Sequence, residues 1–233
     1  MNPILSVFRR GHRGFTLVET LMAVTVMGLA AVGIVAFLRQ GMLMYYNDRA
    51  RTMINRDIRS FTTQMDTDAV TANLFVLYQN FTTRVDPPIR SGGVGDFLVL
   101  IYTDPSQTSY GISMITQLVG YYREVTNTQL NYGPVHRFVI DLSAAPINIK
   151  SAPMATIINN VVTGSASSYP IVTQLAQGLA TSTLTGTQPT PALFYNFGNN
   201  SVMIDAQISE SLTEVGTTSQ TGNTYNFTVS PRG

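Results

Sequence analysis

From Phe15 to Leu38 the chain reads FTLVETLMAVTVMGLAAVGIVAFL, apolar or small throughout except for threonines and one carboxylate, Glu19. As a helix this run would measure roughly 36 Å at 1.5 Å per residue. Bilayer hydrocarbon is about 30 Å thick, so the run is long enough to cross it once. Arg9, Arg10 and Arg13 precede it, and no acid occurs before Glu19. Positive flanks stay on the cytoplasmic side. Arg39 ends the run, and the rest of the chain is expected on the far side.

Two simple explanations leave something over. A cleaved secretory signal has an apolar core of about 7–15 residues followed by small residues at the cut. Here the run is longer, and polar helix follows it without a turn signal. A plain signal anchor fits the length but gives Glu19 no purpose. An acid at the centre of a span costs about 2.5–3.5 kcal/mol, and less near the interface.

The residues Arg13-Gly14-Phe15-Thr16-Leu17-Val18-Glu19 resemble the class III signal of type IV pilins and type II secretion pseudopilins. That signal is a basic leader, a Gly, a Phe, then Thr-Leu-Val/Ile-Glu opening an apolar helix. The resemblance implies a prepilin peptidase that cuts between Gly14 and Phe15 on the cytoplasmic face, removing leader 1–14. Phe15 would become the N-terminus and be N-methylated. It also implies a role for Glu19 in assembly. A new amine at Phe15 lies one helical turn from position 19. Between neighbouring subunits, amine and carboxylate could pair, each costly alone in an apolar setting and tolerable together. Such a pair penalises wrong axial offsets.

No proline interrupts the chain from Phe15 to Val85. After Arg39, Tyr46, Ala50, Ile54, Ile58, Phe61 and Met65 recur at three- and four-residue spacing, one face of an amphipathic helix. The expected layout is therefore leader 1–14, a long helix 15–65 with its membrane part at 15–38, and a head at 66–233. Val70, Leu74, Leu77, Phe81 and Val85 keep helical spacing, which predicts a second helix or a continuation, stopped at Asp86-Pro87-Pro88. Beyond the turn Ser91–Gly95, strands are expected over 97–102, 115–125, 135–142, 202–208 and 225–229. Residues 164–200, rich in Ser, Thr, Gly and Pro, read as long loops around a short helix near 171–179. Helix first and antiparallel strands later make the fold class α+β, a long helix packed on a sheet head. The order FLVLIY, VGYYREV, VHRFVID is similar to that of PilW-like minor pilins and J-type minor pseudopilins. Major pilins usually carry a proline in the membrane helix and a C-terminal disulfide. Here the stretch around Ala36 has no proline and the chain has no cysteine, departures that favour a minor component.

Little else carries chemistry. Lys+Arg 14 against Asp+Glu 13 gives no reason to expect nucleic acid. Without cysteine there is no disulfide, thiolate metal site or cysteine nucleophile. His12 lies in the leader, and His136 stands alone in a strand pattern, more in keeping with a core or surface residue than a ligand. Asp66 and Asp68 lack the further oxygens of a calcium cage. No enzyme activity, cofactor or metal is expected. The resemblance implies prepilin peptidase, other pilin or pseudopilin subunits and inner-membrane lipid as partners. It implies a single-pass bacterial inner-membrane protein with a periplasmic head, later part of a pilus or pseudopilus. The competing reading is a membrane-anchored monomeric binding module for adhesion or DNA capture, which crosslinking between membrane helices would separate from a filament subunit.

Overall fold

The computed structural model describes residues 16–109, 112–184, 190–214 and 217–232. Helix α1 is Leu17–Thr71. Contacts divide the chain between Asn47 and Asp48 into two units. The first holds the apolar part of α1; the second holds the rest of α1 and the head.

In the second unit α1 buries Ala50, Ile54, Phe61, Met65 and Ala69. From Ala50 on, these are the expected stripe extended by one turn, with Ile58 half-buried; Tyr46, its expected first member, lies in the first unit and is also half-buried. Phe61 lies at its centre, edge-on to Tyr121, Tyr225 and Phe227 at ring distances of 5.9, 6.3 and 6.1 Å. Truncating a ring packed this fully costs about 3–5 kcal/mol. Phe61→Ala is therefore expected to lower the unfolding free energy of the full chain in detergent by that amount, and a loss under about 1 kcal/mol would mean the stripe is not the head's main anchor.

Ten strands form one antiparallel sheet among the described residues. They are β1 Leu74–Tyr78, β2 Val94–Gly95, β3 Phe97–Ser109, β4 Ile112–Arg123, β5 Tyr132–Asp141, β6 Ile147–Asn148, β7 Ile171–Gly178, β8 Phe194–Phe197, β9 Ser201–Glu214 and β10 Thr217–Val229. Their order is β1-β3-β4-β5-β7-β9-β8-β2, with β10 paired to β9 and β6 to β4. Alternation along β3 sends Leu98 and Leu100 into the core shared with α1. Phe97, Val99 and Ile101 go to a second core, which helix α2, Met154–Val161, covers with Ala155, Ile157 and Ile158. The sheet is thus packed on both faces. It curls until the ends of its path meet: the Asp96 N–H, just after β2, donates to the Gln79 carbonyl, just after β1, at 2.9 Å. Gly95 makes that closure possible, since a Cβ there would stand 2.2 Å from the Tyr78 carbonyl oxygen.

The α+β layout of a long helix followed by an antiparallel sheet is as expected. Two helices expected in the head are strands instead. Leu74–Tyr78 pairs with β3 from Leu74↔Ile101 to Tyr78↔Phe97. The helix before it runs past its expected end at residue 65 and stops at Thr71, where the Asn73 side chain accepts from the Thr103 N–H at 2.7 Å. Residues 171–178 form β7, tied to β5 by Tyr132↔Gln177 and to β9 by Ala176↔Ile208. Short apolar runs fit helix or strand equally well, and pairing with a neighbour decides between them. Helix α2 and strand β8 had no counterpart in the sequence reading.

Candidate functional site

The charged opening of the apolar helix is built from Thr16 and Glu19. Thr16 precedes the first helical residue, Leu17, and Glu19 stands three positions after it. The Glu19 N–H donates to Thr16 Oγ1 at 3.3 Å. In return, Glu19 Oε2 accepts from the Thr16 N–H at 3.0 Å and from its hydroxyl at 3.1 Å. Each residue satisfies a donor that the helix terminus would otherwise leave open, the reciprocal arrangement of a capping box. The carboxylate also sits where the helix dipole is positive. Only one of its oxygens is engaged in this way; Oε1 takes no hydrogen bond among the described residues. Gly14 and Phe15, the expected cleavage pair, lie outside the described residues, as does His12.

Among the described residues nothing covers the helix behind this cap. None of its most apolar 18-residue window is buried, and Leu17 and Phe37 are 78% and 76% exposed. Exposure on this scale on every face demands lipid or other protein. Glycines 28, 33 and 41 have no atom within 4 Å of where a Cβ would stand, so their surfaces are also open to a neighbour.

Four of the head's charged groups, Asp68, Asp96, Arg123 and Arg137, are used in its own construction. Asp68, weighed above as an oxygen ligand, receives Arg137 through Nε at 2.8 Å and Nη2 at 2.9 Å. The Tyr121 hydroxyl also donates to it, and the Asp68 carbonyl accepts from the Tyr102 hydroxyl at 2.6 Å. One residue near the end of α1 thus binds three strands. The hydrogen bond to Asp68 raises Arg137 above the ordinary guanidinium range, and burial pushes the Tyr121 phenol well up. A second pair, Asp96 and Arg123, is nearly sealed from solvent. His136 is buried in the core. Its ring stacks on Tyr122 at 5.0 Å and 8°, and Nδ1 donates to the Tyr169 carbonyl at 2.7 Å. Among the described residues no group of three His, Cys, Asp or Glu side chains is placed to hold a metal ion.

Sequence reasoning singled out Glu19 and missed Thr16 as its partner. The signal was present, since Thr-x-x-Glu before an apolar run is the written form of a capping box. Residues 9–35 match the family model of the prokaryotic N-terminal methylation motif. The match takes in Gly14, Phe15, Thr16 and Glu19 and leaves the head uncovered. No curated protein and no solved structure matches the chain.

Proposed function

We propose that this chain is a structural subunit, a minor pilin or pseudopilin. It is inserted in the bacterial inner membrane, cut by prepilin peptidase between Gly14 and Phe15, N-methylated at Phe15, and assembled by packing of N-terminal helices into a type IV pilus or type II secretion pseudopilus. One observation carries the reading. The chain has a methylation-type signal at residues 9–35 directly on a helix whose apolar surface no described residue buries.

Glu19 gives this helix two states of use. In the lone subunit Oε2 caps its own helix. In an assembly Oε1 is free to receive the Phe15 amine of a neighbour, while the cap holds the carboxylate at the helix mouth. Lipid holds the span before assembly and neighbouring helices replace it afterwards, with little change in apolar environment. Such exchange gains from close packing and from paired polar groups.

The first step is tested at the cut. A peptidase that must approach the backbone closely tolerates glycine, which has no side chain. Gly14→Ala is expected to leave residues 1–14 attached in a cell that contains prepilin peptidase, read as intact mass and as absence of a methylated Phe N-terminus. Complete processing of that variant would place the cleavage elsewhere.

A further inference from the structure

The sheet has one long edge that no described residue covers. Most of its periphery is closed. The Leu77 carbonyl of β1 accepts from the Ile89 N–H at 2.8 Å, and the ends of the strand path meet through Asp96 and Gln79. Strand β10 branches off this closed path, and among the described residues it pairs with β9 alone.

Its outward groups can be identified residue by residue. Asn226 stands opposite Asp205, Thr224 opposite Gln207 and Thr228 opposite Met203. The Asp205 N–H donates to the Leu193 carbonyl at 3.2 Å, and its own carbonyl accepts from the Leu179 N–H at 2.9 Å. Asp205 therefore spends both backbone groups on the side away from β10. In an antiparallel ladder a residue that does so has a partner that also points outward. Asn226 thus directs its N–H and C=O away from β9. By the two-residue repeat, Thr224 and Thr228 do the same. None of these three has a backbone hydrogen bond beyond β9 among the described residues, and their side chains are exposed.

Open edges in monomeric proteins are usually guarded by charge, proline, a bulge or shortness. Strand β10 has none of these guards. From Thr217 to Val229 it contains no Asp, Glu, Lys, Arg or Pro, and its thirteen pairs with β9 run without a shift in register. On one face it presents half-buried Tyr225 and Phe227, already packed at the margin of Phe61. On the other it presents Thr224, Asn226 and Thr228. An unguarded, neutral, straight edge with one apolar and one polar face suits an extended, uncharged strand whose apolar side chains alternate to meet Tyr225 and Phe227.

We infer that β10 is a subunit docking edge. In the assembly it takes an added strand from a neighbouring subunit, hydrogen-bonded to Thr224, Asn226 and Thr228. This rests on the assembly function proposed above. Like-directed subunits related by rotation and rise make heterologous contacts. The donated strand therefore comes from a different surface of the neighbour, not from a second β10.

Backbone hydrogen exchange on the full chain tests it, first in detergent as a monomer and then in isolated assemblies. In the monomer the amides of Thr224, Asn226 and Thr228 should exchange fast and those of Tyr225, Phe227 and Val229 slowly. In assemblies all six should be slow. Thr224→Pro removes an outward N–H and no bond to β9. It should keep the monomer's circular dichroism spectrum and be cleaved normally, yet enter assemblies roughly tenfold less or worse, while Thr224→Ser enters normally. Persistently fast exchange at 224, 226 and 228 in assemblies that form normally, or normal entry of Thr224→Pro, would overturn the docking edge and leave the assembly function standing. Protection of the three amides in a detergent dimer, lost in Thr224→Pro, would make a second β10 the occupant and overturn the heterologous assignment. Failure of the processed wild-type chain to assemble at all would remove both readings.

Discussion

Glu19→Gln is expected to insert, to be cleaved after Gly14, and then to be almost absent from assemblies. The substitution separates the two uses of the side chain. Glutamine serves nearly as well as glutamate three residues into a capping box, so the helix start formed by Thr16 and position 19 persists. What disappears is the negative charge. If a neighbour's Phe15 amine is buried against that charge, it is left uncompensated among apolar helices. Breaking one side of a buried pair costs about 3–5 kcal/mol, or roughly two to three orders of magnitude in incorporation. Glu19→Ala should be as defective or slightly worse, since it also loses the hydrogen bonds at 3.0 and 3.1 Å to Thr16. Thr16→Ala should be much milder, because a lost cap costs about 1 kcal/mol and leaves the carboxylate in place. Incorporation is read as the fraction of processed subunit recovered in sheared or isolated assemblies. Wild-type recovery of Glu19→Gln would end the charge-pair account. Equal defects in Thr16→Ala and Glu19→Gln would assign the whole effect to helix capping.

Arg123→Met should strongly destabilise the head rather than disturb the apolar helix. Arg123 reaches Asp96 through Nε at 3.0 Å and Nη2 at 2.7 Å. Its side chain is 0% exposed and that of Asp96 12%. Asp96 also accepts from the Leu193 N–H at 2.8 Å, and Nη2 reaches the Asn131 side chain at 3.2 Å. One pair thus ties the start of β3, the end of β4, the turn before β5 and the entry to β8. Methionine fills the space but leaves Asp96 buried without its cation, at a cost of about 3–5 kcal/mol against a typical total of 5–15. Urea unfolding of the full chain in detergent, followed by the near-ultraviolet dichroism of its tyrosines, measures the loss. The double variant Asp96→Leu, Arg123→Met should recover most of it, because an apolar pair of similar volume carries no desolvation penalty.

The loss should also depend on pH. Burial already pushes the Asp96 carboxyl up, against the pull of Arg123, and removing the guanidinium raises it further. A carboxyl that titrates higher folded than unfolded binds more protons in the folded state between the two values. Stability then falls as pH rises through that window. The deficit of Arg123→Met should therefore be smallest in acid, near the ordinary carboxylate range, and grow toward neutral pH. A deficit below about 1 kcal/mol at neutral pH, or one that shrinks as pH rises, would show that Asp96 is not held by this pair.

How much of this could be read in advance follows the range of the interactions. The helix stripe of Ala50, Ile54, Phe61 and Met65 was legible because its repeat lies within a few turns, and the structure buries all four. The central strands Phe97–Ser109, Ile112–Arg123 and Tyr132–Asp141 were legible as β-rich runs, though not their lengths. Residues 74–78 and 171–178 were not, because their apolar spacing suits helix as well as strand. Their partners, β3 for one and β5 and β9 for the other, lie far along the chain. Likewise Asp96 and Arg123 are 27 residues apart, and no spacing rule connects them.

By itself, then, the sequence determined the membrane-length apolar helix, its Thr16–Glu19 opening and the methylation-type signal around Gly14 and Phe15. Each of these depends on residues within a turn or on simple runs of hydrophobicity. Only the tertiary structure decided which head segments became strands, where Arg123 and Arg137 found their carboxylates, and that β10 was left with an open edge. Those outcomes depend on backbone groups meeting across long loops, and the hydrogen bonds that settle them have no local signature.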